Sequence, residues 1–403
     1  MKNIIFSIIL MTVAATNAQQ LESYQSQALQ NNLQLQSLQQ NVAIAREKIN
    51  EMNSLPDTEF GAGYFVSEPE TRTGAQKLRV SVRQGIPWFG TLQSRRDYAG
   101  SMVNVEEVNL EIAKRKLKLN VSQLYYELYE LQEKQEVLQQ NIDLLEVYRV
   151  MALNSIEVGQ ASAVEVLRLK MRQNDLLEKL QNLQLQMRSL KAQFNNLLNT
   201  SEETEINIQD TLVIPLEKEE NFNLALNPEL QQYDEFSESL ELSEKVNLQE
   251  ASPKLGFGLD YINVQKRTDM NMPDNGKDIV MPMVSISVPI FNNKYKSVTR
   301  QNELRQQEVE AQRSQRLNML RSLFAEAQKY RNTARIQYNT QEQNLKQARD
   351  AESILLKNYE TGTIDFSEVL DIQELQLTIQ TKQIEAVQRY YGQAAILNYL
   401  IQF

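Results

Sequence analysis

The chain has 403 residues, 41% hydrophobic and 23% charged, with 42 basic against 52 acidic side chains, only 12 Gly and 9 Pro, and neither Cys nor His. That length would serve two or three ordinary domains, but a mean hydropathy of -0.48 leaves too little apolar content to fill them, and the scarcity of chain breakers favours long helices in an elongated protein. A net charge of -10 repels phosphate backbones and argues against a nucleic-acid partner, while the missing imidazoles and thiols remove Ser-His-Asp and Cys-His catalysis and nearly all zinc and iron sites.

At the N-terminus Lys2 precedes an apolar run from Ile4 to Ala15, and Thr16-Asn17-Ala18 supplies the small residues of a cleavage site. Residues 1–18 therefore read as a signal peptide. A retained anchor would need ~20 apolar residues, and no later segment reaches that length, so any contact with a membrane must be made by strands.

The first unit, 19–200, opens with helical periodicity around Ala28-Leu29-Gln30-Asn31-Asn32-Leu33-Gln34-Leu35. A strand pair over about 57–87 follows. Phe60, Ala62, Tyr64 and Val66 alternate with Glu59, Gly61 and Gly63, and Leu78, Val80, Val82 and Ile86 alternate with Arg79, Ser81, Arg83 and Gly85. One apolar face and one face of Gly, Ser, Arg and Asp suits a strand between lipid and water, although a half-buried soluble hairpin shows the same pattern. Two features favour lipid. The flanking helices are too polar to supply a core, and Trp88 and Phe89 stand where the chain re-enters helix, as an interfacial girdle would. From Gly90 to about Val158 only Gly100 interrupts a helix whose stripe is Leu117, Val121, Leu124, Leu128 and Leu131. A turn at Gly159 and a further helix close the unit.

A Glu-rich, Pro-containing linker near 201–220 leads to a second unit, 221–403, with the same elements in the same order. Asn227-Pro228-Glu229-Leu230 echoes the helical opening. Pro253, Phe257, Gly258 and Tyr261 repeat Pro56, Phe60, Gly61 and Tyr64 at an offset of 197, and Val288-Pro289-Ile290-Phe291 repeats Ile86-Pro87-Trp88-Phe89 at 202. The second strand pair, about 254–290, sets Leu255, Phe257, Leu259, Tyr261, Val280, Val284, Ile286 and Val288 against Gly256, Gly258, Asp260, Ser285 and Ser287, and Phe291 completes its girdle. Asn293 to about Glu360 forms the second long helix, with a stripe of Leu317, Leu320, Phe324, Ala327 and Tyr330. Gly362 with Glu368-Val369-Leu370 then repeats Gly159 with Glu165-Val166-Leu167 at 203. Such narrow seams with polar flanks predict coiled-coil-like pairing, wet on both sides. Four strands per chain cannot close a barrel in a bilayer, so closure must come from several chains.

The organisation resembles the TolC family of outer-membrane efflux and secretion channels. The likeness rests on the Asn31-Asn32-Leu33-Gln34-Leu35 and Asn227-Pro228-Glu229-Leu230 openings, the strand ends at Ile86-Pro87-Trp88-Phe89-Gly90 and Val288-Pro289-Ile290-Phe291, and above all the segment Tyr359-Glu360-Thr361-Gly362-Thr363-Ile364-Asp365-Phe366-Ser367-Glu368-Val369-Leu370-Asp371. The resemblance implies a mainly α chain with a small β-barrel portion, assembled as a homotrimer. Its twelve-stranded barrel would sit in outer-membrane lipid, continued by a helical barrel in the periplasm of a Gram-negative envelope. It implies a passive, cofactor-free exit duct rather than an enzyme, docked to a membrane-fusion adaptor and an RND-type inner-membrane pump to export small molecules, drugs or metal ions. A type I protein-secretion duct and an exported coiled coil without a pore are the alternatives. Leu33 replaces a Pro common in the family, and without Cys the member would be a non-lipidated one.

Within that resemblance the tip turns, Val158-Gly159-Gln160 and Thr361-Gly362-Thr363, would meet the adaptor, although a Gly at a helix C-terminus needs no partner to explain it. Ser162 with Glu165 and Asp365 with Glu368 have capping-box spacing. Asp371 lies on the face of Glu368, and its counterpart in the first unit is Arg168. Threefold symmetry would bring Asp371, Glu368 and Arg168 into a charged, cation-favouring constriction, with an exposed surface acid as the competing reading of Asp371. Finally, Met270-Asn271-Met272 and Met281-Pro282-Met283 bracket a hairpin loop. Met281 and Met283 would face the lumen, where thioethers suit Cu(I) or Ag(I), but methionines also fill gaps, so no metal is assigned there.

Overall fold

The structure, a computed structural model, describes residues 20–157, 162–208, 212–215, 224–269 and 272–401. The leader expected over 1–18 and part of the 201–220 connection lie outside the described residues. The fold is mainly helical with one small antiparallel sheet. Helix α1 covers the described residues 20–31, and α2 is Leu33–Met52. Strands β1 Thr58–Tyr64, β2 Glu70–Thr71 and β3 Gly74–Ile86 precede α3 Thr91–Glu157 and α4 Ala163–Leu198. The second series is α5 Pro228–Glu250, β4 Lys254–Val264, β5 Ile279–Ser287, α6 Lys294–Glu360 and α7 Phe366–Ile401. Helices α3 and α6 each have 67 residues and α4 and α7 each have 36, so the long helices of the two halves match in length as well as order.

Local chemistry fixes the boundaries. The Asn32 side chain accepts from the Gln34 and Leu35 backbone N–H groups at 3.0 and 3.2 Å, capping α2 and leaving Leu33 at the first helical position. In the second half the corresponding helix, α5, starts at Pro228, whose missing N–H costs nothing there. Helix α4 begins at Ser162, whose Oγ accepts from Val164 N–H at 3.1 Å, and ends at Asn199 in the left-handed conformation. The Ser162 cap thus reaches the second helical N–H, and the reciprocal Glu165 bond of a capping box is absent among the described residues. At α7 the Glu368 N–H bonds the Asp365 backbone carbonyl at 3.3 Å, so there backbone replaces the expected side-chain box.

The chain forms two compact units. One contains 38–110 and 228–316, and holds the sheet, ordered β1-β3-β4-β5 with β2 beside β3. The other contains 111–227, 317–403 and the chain up to 37, and is helical. Its core near the end of α3 gathers Leu138, Leu145, Tyr148, Leu169, Leu176, Phe366 and Val369. Of the predicted stripes, Leu117, Val121, Leu128, Leu320 and Ala327 are buried. Tyr330 departs from its stripe and is 39% exposed, with the Lys329 ammonium 5.3 Å from its ring centre.

Candidate functional site: sheet face, tip turn and charged cleft

Because residues directly opposite in an antiparallel pair share a face, the register decides the character of each side of the sheet. Phe60, Val82, Leu259 and Pro282 form one cross-strand row; Ala62, Val80, Tyr261 and Val280 form the next, and Ile86, Leu255 and Ile286 another. This apolar face lies open: Phe60 is 78% exposed and Val284 73%. The opposite face carries Ser81, Asp260 and Met281 in one row and Glu59, Arg83, Gly258 and Met283 in another. Asp260 is fully buried and bonds the Arg79 guanidinium, pairing the charge within the face. Met281 and Met283 therefore share the polar side of β5, as parity requires, while Met270 and Asn271 lie outside the described residues. No cluster of three or more carboxylates that could hold a metal ion occurs among the described residues. At the strand ends the Trp88 and Phe89 rings meet edge-on at 5.8 Å, with Phe89 and Phe291 almost wholly exposed.

In the helical unit, the turn after α6 closes by a Schellman arrangement: Thr363 N–H bonds Asn358 O and Gly362 N–H bonds Tyr359 O, both at 2.9 Å. Gly362 takes φ +71°, a left-handed conformation that an L side chain resists, and a Cβ there would meet nothing within 4 Å. The Thr361 and Thr363 hydroxyls bond each other at 2.7 Å. The turn thus presents backbone and two hydroxyls to open space. Its first-half counterpart, Val158, Gly159 and Gln160, lies outside the described residues.

Arg168 on α4 and Asp371 on α7 line one cleft of about 190 Å³, together with Arg172 and Glu374. Glu368 is not part of it; it lines a neighbouring cleft of about 540 Å³ with Tyr359, Gly362 and Asp365. The ion pair formed in this region is Arg172 to Glu374, 3.3 Å. Sequence reasoning missed this pair. Its signal was an i, i+4 basic pair on α4, Arg168 and Arg172, matched by an i, i+3 acidic pair on α7, Asp371 and Glu374.

Beside the cleft lies a second missed feature. The Tyr148 hydroxyl on α3 donates to Glu352 Oε1 on α6 at 2.7 Å and accepts from Gln373 Nε2 on α7 at 3.1 Å. Gln373 also donates to Glu352, and Gln376 Nε2 bonds Glu352 Oε2 at 2.8 Å and the Ala348 carbonyl at 3.0 Å. One carboxylate thus ties three helices together, and burial first, then Glu352, pushes the Tyr148 hydroxyl well above its usual range. Its ring packs edge-on against Phe366 at 5.5 Å, and Phe366 against Tyr359 at 4.9 Å.

Residues 25–200 match the outer membrane efflux protein family. No curated protein matches the chain in sequence. Among solved structures it is similar to CusC, with 13% identity and a TM-score of 0.78 over 95% of this chain and 92% of that one. The outer membrane protein VceC of Vibrio cholerae is 16% identical, with a TM-score of 0.74 over 94% and 95% of the two chains. The CmeC outer membrane channel of Campylobacter jejuni is 15% identical, with a TM-score of 0.74 over 94% and 85%. Identities this low establish a shared fold. The family model is thus matched over residues 25–200, and the fold of these solved structures is shared over nearly all of the chain.

Proposed function

We propose that this chain, whose residues 25–200 belong to the outer membrane efflux protein family and whose fold is that of the TolC-like channels, is one subunit of a homotrimeric outer-membrane exit duct for small molecules. The observation that carries the reading is the sheet: an open antiparallel sheet with one exposed apolar face, one polar face and unpaired outer edges at β1 and β5. In water such a face and such edges would aggregate. In lipid, joined to further copies, the same features make a barrel with an apolar outside and a wet interior. No described helix is long and apolar enough to cross a membrane, so the strands are the membrane-spanning elements in this reading.

The duct performs no chemistry. A leader over 1–18 exports it, repeats 19–200 and 221–403 joined by 201–220 build it, and Trp88, Phe89 and Phe291 lie at the lipid boundary. The turns at 158–160 and 361–363 engage a periplasmic adaptor, through which an inner-membrane pump supplies the energy. Asp371, which lines one cleft with Arg168, is the group most suited to a charged constriction, while Glu368 lines the neighbouring cleft. Reconstitution of the purified protein in a planar bilayer tests the reading. A heat-resistant trimer in detergent that conducts ions supports it; a monomer, or a trimer without conductance, refutes it.

A further inference from the structure

Strands β1, β3, β4 and β5 meet the helices at one end of the sheet, where Thr58 pairs with Gln84, Ile86 with Leu255 and Lys254 with Ser287. The two strands that run out into helices there, β3 and β5, are free of acid together with the helix starts that follow. From Thr71 to Arg96 the chain carries six cations and no acid, and from Ile279 to Asn302 three cations and no acid, although acidic side chains outnumber basic ones overall. At the opposite end of the sheet charges are matched: Arg267 pairs with Asp269 at 2.8 Å and Lys277 with Asp274 at 3.2 Å.

Just past the end of β5 lie two cations that no acid answers. Arg95 and Lys254 both pair with Glu250, and Arg300 pairs with Glu303 at 2.7 Å. Lys294 and Lys296 are exposed and make no ion pair among the described residues. Lys294 Nζ stands 5.6 Å from the centre of the Tyr295 ring. The Lys294 backbone N–H already donates to Asn292 Oδ1 at 2.8 Å, so the positive charge here is that of the side chains and not of the helix start.

The apolar alternation sets their height in a bilayer. It runs from Val280 through Val284, Ile286 and Val288 to Ile290, all exposed, about the 9–11 residues that a strand tilted by ~45° needs to cross the hydrocarbon layer. Phe291, wholly exposed, closes it. Lys294 follows within about 10 Å of extended chain, a headgroup layer is roughly 5–8 Å deep, and the flexible lysine stem lets the ammonium reach back into it. We propose, on the membrane-embedded reading above, that Lys294 and Lys296 bind the phosphate of an anionic phospholipid in the leaflet on the helix side, with Ile290 and Phe291 against its acyl chains. Charge complementarity and continuity with the apolar face together select a lipid over a soluble anion, because an inorganic ion gains nothing from Ile290 and Phe291.

The full-length protein in detergent, titrated separately with phosphatidylglycerol, phosphatidylcholine and inorganic phosphate and read by native mass spectrometry, tests this. The parent is expected to retain phosphatidylglycerol at lower concentration than phosphatidylcholine. Lys294→Gln and Lys296→Gln should each weaken phosphatidylglycerol retention about fivefold, and the two together about 25-fold, while phosphatidylcholine retention stays level. Lys294→Arg with Lys296→Arg should keep the preference, and Lys277→Gln, which removes a cation at the opposite end of the sheet, should leave it unchanged. An undiminished preference in the double Gln variant overturns the proposal, as does an equal loss in Lys277→Gln or displacement of the lipid by equimolar inorganic phosphate. A double Gln variant that loses its heat-resistant trimer but keeps the lipid preference also overturns it, and assigns the lysines to acids of a neighbouring copy. A parent without trimer or conductance strikes the channel reading instead, whereas a conducting trimer that holds both lipids equally refutes this proposal alone.

Discussion

Replacing Tyr148 by Phe removes one oxygen and leaves the ring that packs on Phe366. The oxygen donates to Glu352 at 2.7 Å and accepts from Gln373 at 3.1 Å, and both Tyr148 and Gln373 are buried. A hydrogen bond to a charged partner is worth about 1.5–3 kcal/mol, and Glu352 Oε1 keeps Gln373 as a donor in the variant. The expected loss is therefore about 2 kcal/mol, below the about 3–5 kcal/mol of deleting a whole aromatic side chain. Because the bond joins α3, α6 and α7 beside the cleft of Arg168 and Asp371, the loss should be local. Native-state amide exchange read by mass spectrometry on the detergent-solubilised protein resolves it. Peptides covering 138–152 and 366–377 should exchange about 30-fold faster, 2 kcal/mol expressed as a rate ratio, while α5 peptides stay unchanged. A change under about threefold at 366–377, or an equal change in α5, would refute the claim that this hydroxyl fastens the three helices.

Alkaline pH should weaken the helical unit. Burial pushes the Tyr126, Tyr129 and Tyr148 hydroxyls well up and that of Tyr391 up to about 12, whereas an unfolded tyrosine loses its proton near about 10. Below that value both states are neutral and stability is flat; between about pH 10 and 12 the unfolded chain holds fewer protons and stability must fall. A melting midpoint that stays level or rises across that window contradicts the assignment. Gly362→Ala should cost about 1–2 kcal/mol through left-handed strain alone, and Gly362→Asn clearly less, read as exchange rates at the α6–α7 turn; equal effects of Ala and Asn would show the conformation is not the cause. Asp371→Ala should raise single-channel conductance and relieve block by divalent cations, and identical conductance and block in variant and parent would remove Asp371 from the constriction.

Much of the architecture was legible because it is written in period and repetition. The switch from helical to alternating periodicity located both strand pairs, and the parity of Phe60, Ala62 and Tyr64 against Glu59, Gly61 and Gly63 gave the sidedness of the sheet before any register was known. The turn at Gly362 was legible for the same kind of reason, since a lone glycine between two long helices has few other uses. The contacts among helices were not. Glu352, Gln373 and Tyr148 stand far apart in sequence and none is unusual in its local context; only the packing of three helices brings them to one carboxylate. Capping-box spacing misled for a related reason: Ser162 and Asp365 have the right residue types, but the helix starts are closed by a bond one residue earlier at Val164 and by backbone at Glu368.

The sheet's two open edges also bear on how stability can be measured. In the proposed assembly the apolar face and backbone edges of each subunit are satisfied by its neighbours, so a subunit has no separate folding equilibrium of its own and its apparent stability follows mass action and the lipid or detergent that accepts it. Substitutions along β1 or β5 would then register as failures of assembly before they registered as changes in melting.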